Sequence, residues 1–95
     1  MVNEPSFTIG IEEEYLLVDR DGRDLVAHPP SELLEQGVNR TDGRMTTEFL
    51  QSQLEVGTSK CASVPEAAAE IVELRSTLSE IVTEFGYAII ASSTH

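Results

Sequence analysis

Apolar and polar residues recur with helical spacing in one long segment of the second half of the chain. Charged residues, Arg75 among them, fall on the opposite face from the apolar ones and are expected in solvent. Residues Ser63 to Glu66 form a capping box with proline in the first turn, and Gly86 is a stop signal, so the helix should end near Glu84. The expected apolar face, packed on a sheet, consists of Val64, Ala68, Ile71, Leu74, Leu78, Ile81, Val82 and Phe85.

Three other segments have the patterns of β-strands. The first, from Phe7 to Val18, has β-branched and aromatic residues on both sides of three glutamates. The second, from Leu50 to Val56, alternates apolar and polar residues. The third, from Tyr87 to Ser92, is apolar enough to predict a central strand covered on both faces. Strands with one long helix predict an α+β fold, and the unsatisfied sheet edges favour part of a larger domain.

The segment between the first two strands contains turns and a short helix. Asp19 to Asp24 is typical of a solvated turn, after which Leu25 to Ala27 can return as a short antiparallel partner. A calcium-loop interpretation is disfavoured because the glycine of this segment is at the wrong position. Ser31 is the expected N-cap of a helix from Glu32 to Gln36, which Gly37 should end.

The three consecutive glutamates of the first strand are the strongest indication of a site. Alternate side chains of a strand point to opposite faces, so Glu12 and Glu14 share one face and Glu13 lies on the other. Two residues along a strand are roughly 7 Å apart, close enough for the carboxylates to repel each other. Like charges in this arrangement need a cation to offset them. The pattern therefore predicts a site for divalent cations, against the alternative of an exposed acidic strand.

Two more glutamates are candidates for the same cleft. Glu55 ends the polar face of the second strand, with Gln51 and Gln53 before it, although it could equally be a hydrogen-bonded acid at the strand end. Glu48 has the opposite parity to Glu55. It can reach the same cleft only through a bend or bulge near Phe49 or from the entering loop.

Charge and composition restrict the classes of partner. The chain has 17 acidic and six basic residues, a formal net charge of -11, which argues against direct binding of nucleic acid or an anionic membrane. Anionic substrates would need a bridging metal ion. The start of the chain lacks a secretory leader and no apolar run is long enough to span a bilayer, so a cytoplasmic location is expected. Cys61 is the one cysteine and is interpreted as a small packed side chain.

Three segments together resemble a known enzyme family. They are Phe7 to Asp19 with its Gly-Ile-Glu-Glu-Glu signature, Gln51 to Thr58 followed by Cys61, and Ala91 to His95. In this order they are similar to the amino-terminal part of the carboxylate–amine ligases of the glutamate–cysteine ligase type 2 family. The resemblance extends over essentially all of the chain but over only a fraction of the family's length, which implies that residues 1–95 are the amino-terminal portion of one larger catalytic domain.

The resemblance carries several further expectations. The fold would be similar to glutamine synthetase, a curved and largely antiparallel sheet with flanking helices and a funnel-shaped site for ATP and Mg²⁺. By position, the metal ligands would be Glu12, Glu14, Glu48 and Glu55. Thr94 and His95 match a segment near the substrate funnel, for which proximity alone is implied.

The implied reaction joins a carboxylate to an amine. The substrate carboxylate attacks the γ-phosphoryl group of ATP, and an amine, that of cysteine in the best-known members, displaces the phosphate from the acyl phosphate. The partners would be small-molecule amino acids, amines and carboxylates, with the identity of the pair and any homo-oligomer left open. This stretch alone would hold part of a metal site and catalyse no turnover. A different class remains open, a non-catalytic acidic module that pairs with another chain through exposed strand edges.

Overall fold

A computed structural model of the chain describes residues 8–47 and 52–94. Glu48 and His95, with the Leu50 and Gln51 positions of the predicted second strand, lie outside these ranges. The described elements, in chain order, are β1 (Glu12–Asp19), α1 (Ser31–Arg40), β2 (Met45–Thr47), β3 (Gln53–Gly57), α2 (Val64–Glu84) and β4 (Tyr87–Thr94).

The four strands form one antiparallel sheet in the order β2-β3-β1-β4. Strand β1 therefore lies in the middle, and α2 connects the two strands that flank it. Strand β2 pairs with β3 from Met45↔Val56 to Thr47↔Leu54, so the two strands form a hairpin. The sequence pattern had not distinguished β2 from β3. The α+β class with a mostly antiparallel sheet and flanking helices is confirmed.

Both helices lie on the same side of the sheet. Helix α2 contacts β3 and β4, while α1 contacts α2 and β2. The apolar core fills the space between the helices and the sheet, and its buried members are Tyr15, Leu17, Leu33, Met45, Leu54, Val56, Ile71, Leu74, Leu78, Ile81 and Val82. The opposite face of the sheet carries no described helix, and Ile90 on that face is 48% exposed.

Helix α2 has the predicted boundaries. The Ser63 hydroxyl accepts a hydrogen bond of 3.3 Å from the Glu66 amide, proline occupies the first turn, and Gly86 follows with a φ of 80°. The predicted apolar face is wrong in its first turns, because Ala67 is buried whereas Val64 and Ala68 are exposed. Four positions before Ile71, Ala67 continues the buried stripe toward the N-terminus.

Helix α1 corrects two predictions. Pro30 occupies the N-cap position without a side-chain hydrogen bond, so Ser31 is the first helical residue rather than the cap. Gly37 lies inside the helix, which continues to Arg40, instead of ending it. A Cβ atom at Gly37 would overlap Sδ of Met45, so the glycine allows close packing of α1 on β2. Its role is steric, which a reading of glycine as a helix terminator misses.

The described part of the chain does not show β4 as the covered central strand that its composition predicted. Within residues 8–47 and 52–94 its one neighbour is β1, and its outer face lacks a covering helix. The predicted return of Leu25 to Ala27 is confirmed only as an isolated bridge between Leu25 and Val18. In the described part of the chain no helix combines the length and apolar character needed to cross a bilayer.

Candidate functional site

The strand register brings two of the candidate glutamates directly together. Glu14 of β1 is the cross-strand partner of Glu55 of β3, and Thr46 of β2 pairs with Glu55 from its other side. Directly opposed residues of an antiparallel pair have Cβ atoms about 4.5–5.5 Å apart. Glu12 lies two positions along β1 on the same face, opposite Gly57. We call Glu12, Glu14 and Glu55 the carboxylate row.

The carboxylate row lies on the face of the sheet opposite the helices. Leu54 and Val56 of β3 point into the core, so Glu55 between them points outward. Glu12 is exposed, and Glu14 and Glu55 are half-buried. The row is thus open to a ligand from one side while its backbone lies in the middle of the sheet.

The donor atoms of the row fit a hard divalent cation. Carboxylate oxygens are the ligands that Mg²⁺ accepts, and Mg²⁺ commonly binds through one or two carboxylates while it keeps water and phosphate ligands. In the described ranges no three His, Cys, Asp or Glu side chains are grouped closely enough to hold a metal by themselves. A Glu14–Glu55 pair with Glu12 nearby therefore fits an ion whose remaining ligands come from water and substrate.

A shallow hollow of about 250 Å³ adjoins the row at Glu12. It is lined by Gly10, Ile11, Glu12, Gly57 and Thr58. Two hydrogen bonds join its walls, because the Ile11 amide donates to Thr58 Oγ1 and the Thr58 amide donates to the Ile11 carbonyl, each at 2.9 Å. The hollow is therefore built on paired backbone rather than on a free loop.

The third glutamate of the signature has a separate role that the sequence analysis missed. Glu13 is 1% exposed and points toward α2, where it accepts hydrogen bonds from the Tyr15 hydroxyl and from both Nε (2.6 Å) and a terminal nitrogen of Arg75. Arg75 is half-exposed, in agreement with the prediction of a solvated face, but its guanidinium is also the counter-ion of a buried carboxylate, which the prediction did not include. The sequence signal for this role was the strand parity of Glu13. Parity places its carboxylate on the core side of the sheet, where a buried charge requires a partner.

The environment of this triad shifts two proton equilibria. Burial, followed by the hydrogen bond to Glu13, raises the pKa of Tyr15 well above its ordinary value. The hydrogen bond to Glu13 is the main reason that the pKa of Arg75 is raised. Both shifts favour the arrangement of a neutral phenol and a charged guanidinium around one carboxylate.

The carboxyl-terminal candidates are placed only in part. Thr94 aligns with Glu13 in the β1–β4 register and Ser93 aligns with Glu14, after a bulge between the Glu14 and Tyr15 pairs. Ser92 Oγ donates to the Glu14 carbonyl at 3.2 Å. The structure thus brings the backbone of Thr94 next to the signature, while Glu48 and His95 lie outside the described residues.

Cys61 is a packed residue, as predicted. It is 5% exposed, and its backbone forms an isolated antiparallel β-bridge with Ile9. Its thiol donates a hydrogen bond to the Ser59 carbonyl at 3.2 Å. Burial, followed by the carboxylates of Glu70 and Glu66, raises the pKa of the thiol. A raised pKa disfavours the reactive thiolate.

Comparison with known proteins assigns the family. The model of glutamate–cysteine ligase family 2 (GCS2) matches residues 8–95. A Rhodospirillum rubrum protein named "Putative glutamate--cysteine ligase 2" is 48% identical over 99% of this chain and 25% of its own length. Proteins of the same name from Jannaschia sp. (strain CCS1) and Bradyrhizobium diazoefficiens are 45% and 39% identical, over 98% and 94% of this chain and 24% and 21% of their own lengths. The chain spans about a quarter of the length of these relatives. It belongs to glutamate–cysteine ligase family 2.

Proposed function

We propose that this chain is the amino-terminal portion of an ATP-dependent carboxylate–amine ligase, with its carboxylate row as part of the Mg²⁺-ATP site. The reaction would begin with attack of a substrate carboxylate on the γ-phosphoryl group of ATP. The products of that step are ADP and an acyl phosphate, from which an amine displaces phosphate to form the amide. Family membership and the names of the relatives support a ligase. The direct opposition of Glu14 and Glu55 is the observation that carries the site.

Electrostatics explains why a site of this kind needs a cation. Phosphoryl transfer depends mainly on positioning and on neutralising the charge of the phosphate oxygens. The sequence has a net charge of -11, and the row itself is anionic, so a polyphosphate would be repelled from it. Bound Mg²⁺ would supply the charge neutralisation between the row and the phosphates.

The residues of this chain would hold the carboxylates of the row in a fixed geometry. Glu14 and Glu55 stand on neighbouring antiparallel strands, so their separation is fixed by the backbone register rather than by flexible loops. On the reverse face, Glu13 is bound to Arg75 and Tyr15, which ties β1 to α2. The row therefore keeps its geometry before any ligand binds, and this lowers the ordering cost of binding.

The remaining candidates complete the proposal. Glu48 would contribute a further carboxylate, and Thr94 and His95 would lie near the substrate. The complete catalytic domain would resemble glutamine synthetase, and the enzyme would act in the cytoplasm on small-molecule amino acid, amine and carboxylate substrates.

The test uses the complete polypeptide that the reading frame encodes. ADP formation is measured with Mg²⁺-ATP, glutamate and a panel of amines including cysteine, for the wild type and for Glu14→Gln and Glu55→Gln. We expect each substitution to lower turnover by about a hundredfold or more, since loss of even an outer-shell partner of a metal ligand weakens metal binding or activity by about 10–100-fold, and loss of the ligand itself also misplaces the phosphates. Both variants should retain a cooperative thermal unfolding transition, because glutamine has the shape of glutamate and the substitution creates no cavity.

Glu73→Gln is the matched control, because Glu73 is exposed on α2, away from the row. It removes the same charge and should retain full turnover. Wild-type turnover in both Glu14→Gln and Glu55→Gln would contradict the metal-ligand role. A wild-type polypeptide that neither forms ADP nor gains melting temperature from Mg²⁺ would favour the acidic assembly module instead.

A further inference from the structure

Gly57 occupies a strand position at which the described part of the chain does not require glycine. It is the last residue of β3, it pairs with Glu12, and its φ is not in the left-handed region. Among the described residues, a Cβ atom built there would meet Cγ of Glu12 alone, at 3.7 Å, which is an ordinary van der Waals distance. Glycine in a strand costs about 0.5–1 kcal/mol relative to alanine. The fold alone would therefore favour a side chain at this position.

The missing side chain leaves space at the carboxylate row. Gly57 has the same strand parity as Glu55, so a side chain would stand on the face of the row and enter the hollow beside Glu12. The hollow is open on one side and has a volume of about 250 Å³, which is several times the share of about 30 Å³ that one water molecule takes in the liquid. That is room for a hydrated divalent cation and one phosphate group.

The charge of the hollow limits its occupant. Glu12 is the one ionisable side chain among its five lining residues. An anion alone would be repelled by this carboxylate, and an apolar group would gain little from an open, half-polar depression. A cation, or an anion that reaches Glu12 through a cation, has the complementary charge.

We infer that Gly57 is a positioning residue of the nucleotide site, whose lack of a side chain lets a phosphate group bridged by the divalent cation at Glu12 fit into the hollow. The inference rests on the proposed function, because it takes the carboxylate row as the cation site. Gly57 supplies no side-chain ligand atom. It acts by leaving space for the phosphate group. The hydrogen bonds between Ile11 and Thr58 hold that space open.

The experiment measures binding rather than turnover. Mn²⁺ is titrated into the complete polypeptide, with and without a non-hydrolysable ATP analogue, and free Mn²⁺ is followed by electron paramagnetic resonance. Gly57→Val fills the hollow with a β-branched side chain that suits a strand. We expect the affinity for the Mn²⁺–nucleotide complex to fall by about tenfold or more, equivalent to about 1.4 kcal/mol. The affinity for Mn²⁺ alone should change by less than about threefold, because no carboxylate is removed.

Ala88→Val is the matched control. Ala88 pairs with Val18 on β1 and lines a second hollow of about 220 Å³, which contains no part of the carboxylate row. The substitution also introduces valine, adding two methyl groups to the sheet at a comparable hollow, so it should leave nucleotide affinity unchanged. Equal losses in Ala88→Val and Gly57→Val would overturn the inference.

The other outcomes also separate the two proposals. Wild-type affinity of Gly57→Val for the Mn²⁺–nucleotide complex would overturn the role of Gly57 and leave the metal site standing. A wild type that binds neither Mn²⁺ nor the complex would overturn the proposed function and this inference with it. If Gly57→Val lowers the melting temperature, Gly57→Ala decides, because its Cβ meets no close contact. The alanine variant should weaken the complex by about threefold, and unchanged affinity would contradict the inference.

Discussion

Glu13 shows how neighbouring residues of one strand can serve different purposes. Its carboxylate is buried and bound by Tyr15 and Arg75, while the carboxylates of Glu12 and Glu14 lie on the open face. A buried carboxylate without a counter-ion is strongly unfavourable, so Arg75 compensates a charge that the signature imposes on the core side. Glu13 thus links the strand that carries the anionic face to the folded core.

Removal of Arg75 should destabilise the fold more than removal of an ordinary surface arginine. Breaking a buried ion pair costs about 3–5 kcal/mol, and because half of the Arg75 side chain is exposed we expect Arg75→Met to lower the free energy of unfolding by about 2–4 kcal/mol. Arg40→Met is the control, since Arg40 forms an exposed pair with Glu80 worth about 0–1 kcal/mol. Urea denaturation measures both losses.

A second substitution tests the cause of that loss. Glu13→Gln in the Arg75→Met background removes the uncompensated charge and keeps an oxygen that can accept the Tyr15 hydroxyl. It should recover about half of the lost stability or more. If Arg75→Met costs no more than Arg40→Met, the Glu13–Arg75 pair is not a stabilising contact.

Tyr15 should give the protein a characteristic loss of stability in alkali. Its folded pKa is raised by burial and by Glu13, whereas an unfolded tyrosine ionises near pH 10. The unfolded state therefore binds fewer protons than the folded state above pH 10, and the free energy of unfolding falls there by up to about 1.4 kcal/mol per pH unit. Below pH 10 this contribution is fully present.

Urea denaturation at pH 9, 10 and 11 measures this dependence. Tyr15→Phe removes the component of the alkaline slope that comes from Tyr15, while Tyr87→Phe, which changes the other tyrosine of the chain, retains it. Equal slopes in the wild type and in Tyr15→Phe would show that the buried phenol is not the source.

At the scale of elements, close packing between α1 and β2 depends on one glycine. Gly37 is buried in mid-helix, and Met45, which is 1% exposed, lies where a side chain at position 37 would be. Thr41 joins the same two elements, because its hydroxyl donates to the Gly37 carbonyl at 2.6 Å and accepts from the Met45 amide at 3.0 Å. The turn between α1 and β2 is thereby fixed from both sides.

Gly37→Ala should therefore destabilise the protein although alanine is the better helix former. We expect a net loss of about 1–3 kcal/mol, because overpacking in the core outweighs the gain of about 1 kcal/mol in helix propensity. The double variant Gly37→Ala with Met45→Val makes room for the added methyl group and should recover part of the loss in thermal denaturation. A Gly37→Ala variant more stable than the wild type would mean that Met45 moves aside freely.

The elements differ in how far their sequences determine them. Helix α2 was predictable at both ends, because Ser63 and Gly86 are local signals and the apolar spacing is repeated over 21 residues. The position of β4 at the edge of the described sheet was not predictable, since an apolar strand sequence does not reveal which neighbours it has. The role of Gly37 was hidden for the same reason, because it depends on Met45 in another element.

The candidate site was predictable in its residues but not in its register. Strand parity already placed Glu12 and Glu14 on one face, and alternation in the second strand gave Glu55. That Glu14 stands directly opposite Glu55, and Glu12 opposite Gly57, follows from the pairing of β1 with β3, which no local pattern encodes. Arg75 was missed because helical periodicity sorts residues by face and does not identify partners of buried charges.

For the whole molecule, the excess of acid should make stability depend on ions in two distinguishable ways. A formal net charge of -11 on 95 residues produces self-repulsion that any salt screens, and the Debye length falls from about 30 Å at 0.01 M to about 8 Å at 0.15 M. We expect the melting temperature to rise with NaCl over this range in the wild type and in all row variants. This general effect requires no binding site.

A specific Mg²⁺ effect should appear in addition when MgCl₂ and NaCl are compared at equal ionic strength. Binding to the folded state alone stabilises it by about 2.7 kcal/mol at a hundred times the dissociation constant. The extra rise in melting temperature should be present in the wild type and in Glu73→Gln, and it should disappear in Glu14→Gln combined with Glu55→Gln. If the double variant keeps the extra rise, Mg²⁺ acts by screening or at another site, and the opposed glutamates of β1 and β3 are not its ligands.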